Sequence, residues 1–189
     1  MRKRFARNPY TVSNVMDVWE CELLDVQTYT KYNDNYRYIL SVTDVFSKYV
    51  HLITLKTKSG PSLASAFRSI IDDHKYSTGR RPIWVRTDKG KGFLNKHFQD
   101  ILRDESGGIQ FQVCGNPDFK CAVVERVYRT IRDSLYKHLT YENTYRFIGV
   151  QPKFVKAYND TVHSTTGMSS SRVTDSDVLA IWKRMERHR

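Results

Sequence analysis

Residues 36–56 read YRYILSVTDVFSKYVHLITLK. Their Tyr, Ile, Val and Phe content suits a pleated, half-buried surface, and the run divides into two strands, about 36–44 and 49–55, around a tight turn at Ser47-Lys48. Upstream, WECELLDV from Trp19 supplies a first strand, separated by the polar loop TYTKYNDN. Downstream, Ser59 can cap a helix with Pro61 in its first turn, and Leu63, Ala66, Phe67, Ile70 and Ile71 form one apolar face. Gly79 ends that unit, and PIWVRT is a short strand running directly into Asp88. Gly90 and Gly92 precede a short helix carrying Phe98, Ile101 and Leu102; Gly107-Gly108 breaks it, and IQFQV is a fifth strand.

The longest helix is predicted over 122–139, with Val124, Val127, Tyr128, Ile131, Leu135 and Leu139 as its core stripe. A second helical tract covers about 144–163, with a kink or a fresh start near Gly149 and Pro152. Thr174 and Asp177 form a capping pair ahead of a short helix whose apolar stripe, Val178, Ile181, Trp182 and Met185, favours packing. Three consecutive strands followed by βα crossovers give a mixed five-stranded sheet flanked by helices, an α/β domain. The division is a basic lead-in at 1–14 with Arg2, Lys3, Arg4 and Arg7, a core at 15–173, and an amphipathic helix at 174–189.

Composition narrows the function. Of 189 residues, 40% are apolar and 13% aromatic, enough for a real core and against disorder of the whole. No stretch approaches the ~20 apolar residues of a membrane span, and MRKRFARNPY has no apolar run behind its charge, so it does not read as a secretory signal. Cys21, Cys114 and Cys121 are too few and too oddly spaced for a disulfide scaffold or zinc cage, which points to reduced thiols in an intracellular protein. The six histidines show no zinc-ligand spacing. Lys and Arg total 31 against 20 Asp and Glu, and a net charge of +11 favours a polyanionic partner, most commonly nucleic acid.

Acids fall at three points that this fold order would bring together: Glu22 or Asp25 on the opening strand, Asp88 at the carboxyl end of the fourth strand, and Glu125 one turn into the long helix. Clustered carboxylates suit Mg²⁺ or Mn²⁺, and two such ions can clamp both oxygens of an in-line phosphoryl transfer. Each acid also has a local reading, Asp88 as a turn-former before Lys89-Gly90 and Glu125 as a first-turn acid paired with Arg129.

Five stretches, WECELLDVQ (19–27), residues 36–56, RTDKGKGF (86–93), NPDFKCAVVERVYRTIR (116–132) and YNDTVHSTTGMSSSRV (158–173), resemble the catalytic core of retroviral-type integrases. The nearest likeness is to the integrases of Maverick/Polinton-like transposons and related transposon-derived proteins. The resemblance implies a ribonuclease H-like fold and a D,D-35-E type triad. It also implies Mg²⁺ or Mn²⁺ as cofactor, and an activity that trims DNA ends and joins the 3′-hydroxyl to a target strand. Asp88 and Glu125 match the second and third acids, with 36 residues between them, while the place of the first aspartate holds Glu22. Asp25 fits a separate acidic position of the transposon integrases, and on a strand it faces away from Glu22.

Gly92 stands where the family usually has glutamate, Tyr128 where it has asparagine, and Ser170 where it has proline. With the extra methylene of Glu22, these departures predict weak or lost catalysis. Glu125, Arg129, Arg132 and Tyr136 share one helix face; Arg129 and Arg132, with Lys89 and Lys91 beside Asp88, are the candidate phosphate contacts. Expected with this are DNA as partner, a homo-oligomer by resemblance, no membrane, and a nuclear location. The alternatives are a domesticated, non-catalytic DNA-binding or interaction domain, and a ribonuclease H-like nuclease acting on RNA–DNA hybrids.

Overall fold

A computed structural model describes residues 12–73, 81–88, 90, 92–104, 108–114 and 121–187. The lead-in up to residue 11, Gly79, Lys89, Lys91 and Gly107 lie outside the described residues. Strand β1 (Val18–Asp25) sets the layers by alternation. Trp19, Cys21 and Leu23 join an apolar cluster on one face, whereas Val18 and Leu24 join separate clusters on the other, with Glu20 and Glu22 between them. Around β1 run β2 (Tyr38–Asp44), β3 (Val50–Leu55), β4 (Trp84–Thr87) and β5 (Gln110–Val113), in the spatial order β3-β2-β1-β4-β5. The first three strands pair antiparallel, and β4 and β5 pair parallel, as the sequence order requires.

Helices α1 (Gly60–Ile71) and α2 (Lys96–Asp104) cover one face, where Phe67, Phe98, Leu63 and Leu102 are buried against Trp19, Leu40 and Val85. Ser59 caps α1 by accepting the Ser62 N–H, with Pro61 in the first turn. Helices α3 (Ala122–Tyr141) and α4 (Gln151–Asp160) cover the other face through Val127 and Ile131 on Val50, and Leu135 and Leu139 on Leu24 and Ile39. Tyr128, expected in the α3 core stripe, is half-buried. The β2–β3 turn closes on buried Asp44, whose carboxylate accepts the N–H groups of Met16, Phe46 and Ser47 at 2.6–2.9 Å, while Lys48 takes a left-handed φ of 68°.

The predicted tract at 144–163 shortens to α4. Residues 144–150 are not helical because buried Asn33 holds them: its amide oxygen accepts Phe147 and Ile148 N–H at 2.7 and 3.1 Å, and its amide nitrogen donates to the Tyr145 carbonyl. Pro152, lacking an N–H, then sits in the first turn of a fresh helix. The exposed edge of β3 is closed by side-chain amides from α4. Asn159 accepts from Val50 N–H and donates to Val50 C=O, both at 2.9 Å, and Gln151 donates to Leu52 C=O. The Thr174–Asp177 capping box forms as expected, ahead of a 3-10 turn leading into α5 (Val178–Arg187). Ile181 of α5 is buried with Val12, Val45 and Phe46, whereas Trp182, expected in the packing stripe, remains 39% exposed. Among the described residues no helix is long and apolar enough to cross a membrane.

Replacing Asn159 by Ala leaves the Val50 N–H and C=O buried without partners, so unfolding free energy should fall by about 2–4 kcal/mol. Urea denaturation checks this as a lowered midpoint at unchanged slope.

Candidate active site

Two pairings deliver the acids. Parallel pairing of β1 with β4 sets Cys21 opposite Thr87, so the next residues, Glu22 and Asp88, emerge side by side at the carboxyl edge of the sheet. Helix α3 is brought there by Glu20. Cys121 at the cap position makes no side-chain cap bond, and one Glu20 carboxylate oxygen, Oε2, instead accepts the N–H groups of Val123 and Val124, both at 2.9 Å. Glu125 follows immediately on α3. Burial pushes the Glu22 carboxyl up from its ordinary 4.5 to about 7, reinforced by the negative charges of Asp88, Glu125 and Glu20. Glu22 thus feels the charges of Asp88 and Glu125, the two acids that the sequence reading grouped with it.

Their local bonds form as well. Asp88 is exposed and its Oδ1 accepts the Gly90 N–H at 3.0 Å; a Cβ at residue 90 would fall 2.9 Å from that oxygen, which an exposed, flexible carboxylate can yield. Glu125 lies 3.9 Å from Arg129, with side chains 47% and 69% exposed, a solvent-screened pair. Arg132 sits 5.3 Å over the Tyr128 ring and 3.5 Å from Asp133. Burial raises the Tyr128 phenol pKa; Arg132 lowers it, and the charges of Tyr136 and Glu22 raise it further. Lys89 and Lys91 lie outside the described residues. Asp25 is exposed and spent on a local turn, accepting the Gln27 N–H and side-chain amide. A Cβ at Gly92 would meet Leu63 and Leu23 at ordinary contact distances of 3.5 and 3.8 Å, so space does not demand glycine there.

Glu20 is the residue the sequence reading passed over. Burial raises its pKa, opposed by the two α3 N–H groups and by Lys48 and Arg86. Two signals point to it: period-two alternation puts it on the Glu22 face, and Cys121 is a poor cap that needs an acceptor from elsewhere.

Among the described residues Glu22 Oε2 is buried without a hydrogen-bond partner. Glu22, Asp88 and Glu125 all offer hard oxygens, a set whose chemistry fits Mg²⁺ or Mn²⁺. Among the described residues, however, no three His, Cys, Asp or Glu side chains stand close enough together to enclose a metal ion.

No family model matches the sequence. Two solved structures of the HTLV-2 integrase catalytic core domain in complex with magnesium, one trimeric and one dimeric, superpose with TM-scores of 0.64 and 0.63. They are 23% and 21% identical, and each alignment covers 83% of this chain and 95% or 94% of the other. The fold is that of an integrase catalytic core. An intasome of simian T-cell lymphotropic virus, in complex with PP2A regulatory subunit B56 gamma, matches at TM-score 0.70 and 14% identity over 92% of this chain and 60% of that one. In sequence, this integrase-like core is 28% identical over 149 residues to an uncharacterised transposon-derived protein of Caenorhabditis elegans, covering 79% of this chain. It spans about half the length of that relative.

The raised Glu22 pKa fixes the sign of a pH effect. Between about pH 4.5 and 7 the folded chain keeps a proton there that the unfolded chain has released, so stability falls as pH rises across that window. Urea midpoints in metal-free buffer should show this decline in the wild type and a flatter profile in Glu22→Gln.

Proposed function

We propose that this chain is an integrase-like core of transposon origin that binds DNA and a divalent cation and performs DNA end processing and strand transfer in weakened form. The observation that carries the reading is Glu22, a carboxyl pushed to about 7 by burial and by Asp88 and Glu125, on the fold of an integrase core. Supporting it are the magnesium in the HTLV-2 core structures, the transposon-derived relative and the net charge of +11.

Glu22, Asp88 and Glu125 would hold Mg²⁺ or Mn²⁺. Such an ion, when bound, stabilises the charge that develops on the transferring phosphoryl group and favours the deprotonated nucleophile. Arg129 and Arg132 would meet the phosphate backbone, a contact that sets register without reading sequence. Glu22 keeps the negative charge an aspartate would supply but carries its oxygens one methylene further, and reacting groups tolerate only about 0.5 Å of misplacement. Assembly as a homo-oligomer and action in the nucleus belong to the same proposal, as does the division into a lead-in (1–14), a core (15–173) and a terminal helix (174–189).

A second reading, a DNA-binding domain without catalysis, is favoured by one arrangement: Asp88 and Glu125 are each occupied, by the Gly90 amide and by Arg129.

Manganese titration followed by thermal unfolding decides between them. The proposed site predicts that Mn²⁺ raises the wild-type Tm and leaves Asp88→Asn unchanged; no shift in the wild type favours the non-catalytic reading. In oligonucleotide strand-transfer assays the wild type should be feeble and Glu22→Asp stronger, whereas robust wild-type turnover would contradict the weakening. Replacing both Arg129 and Arg132 by Ala should lower the log–log salt slope of duplex binding by about two.

A further inference from the structure

Outside the acidic pocket, two thiols meet. Cys114 directly follows β5, its N–H donating to Thr87 C=O at 2.7 Å, and Cys121 occupies the cap position of α3. Their sulfurs are 2.7 Å apart, with the Cys121 thiol donating to Cys114. A disulfide bond is about 2.05 Å long, so the pair needs to close by only about 0.7 Å. Each sulfur is held by a fixed element, one by the parallel β4–β5 pairing and the other by the Glu20-capped start of α3. All three cysteines are free, and Cys21, buried on the opposite face of β1 from Glu20, packs in the apolar core. Nothing in the metal and DNA reading uses Cys114 or Cys121.

We propose that Cys114 and Cys121 form a reversible disulfide that fastens the end of β5 to the first turn of α3, with a small-molecule disulfide such as oxidised glutathione as the oxidant. Cys114 is the half-exposed partner, and the hydrogen bond from Cys121 holds its thiol pKa below the ordinary value, so it attacks first. The Cys114 sulfur, giving up its proton, bonds to one sulfur of the oxidant and expels one glutathione thiolate. The Cys121 sulfur, losing its proton in turn, bonds to Cys114 and expels the second. The protein loses two protons and two electrons, and one oxidised glutathione becomes two reduced ones. The bond closes an eight-residue segment, 114–121, and ties down the helix turn just before Glu125. This inference rests on the two sulfurs and is independent of the strand-transfer reading.

The test incubates the full chain with oxidised glutathione, quenches in acid, denatures, alkylates free thiols and reads intact and peptide masses. The expected result is one alkylated thiol, at Cys21, peptides joined through 114 and 121, and three alkylated thiols after dithiothreitol. Cys21→Ser should still form the bond, and Cys121→Ser should stop at a glutathione adduct on Cys114. Three alkylated thiols in the oxidised wild type, a lasting glutathione adduct without a cross-link, or a bond through Cys21 would each overturn the proposal.

Discussion

Glu20 accepts two N–H groups of α3 with a single carboxylate oxygen, across 103 and 104 positions of sequence, and the placement of the first turn of α3, with Glu125 on it, follows from that contact. Every helix begins with N–H groups that its own carbonyls cannot reach, and Cys121 offers them nothing. A carboxylate there gains charge-assisted hydrogen bonds and the favourable end of the helix dipole. The apolar stripe of Val127, Ile131, Leu135 and Leu139 fixes the rotation of α3 against the sheet, while Glu20 fixes its axial position. Together they set Glu125 beside the carboxyl edge of β1 and β4.

The same arrangement imposes an electrostatic cost. Across the sheet, Ser41 pairs with Glu22, and Thr43, Glu20 and Arg86 lie in one row, so the strand face beneath α3 is polar where its neighbours are apolar. Glu20 is compensated by helix N–H groups and nearby cations, whereas Glu22 faces like charges and, among the described residues, leaves Oε2 buried without a partner. A core built for stability alone would not place an uncompensated carboxyl at that point.

Much of this was legible in the sequence because alternation and helical spacing report burial directly. Residues 36–56 specified both β2 and β3, Ser59 and Pro61 specified the start of α1, and the stripe from Val124 to Leu139 specified α3. Asp88 and Glu125 were legible through spacing and through a family likeness. Residues 144–150 and the edge of β3 were not, because Asn33 and Asn159 act through bonds to backbone far away in sequence, which periodicity does not record. Glu20 was hidden for the same reason, and the Cys114–Cys121 contact needed β5 and α3 in place.

Carboxyl-carbon NMR of Glu22 across pH, in metal-free protein, tests most directly whether the three acids are pooled. A midpoint near 7 is expected in the wild type, moving toward the ordinary value when Asp88→Asn and Glu125→Gln are combined. A wild-type midpoint at 4.5 would mean that β1, the tip of β4 and the start of α3 do not share a pocket.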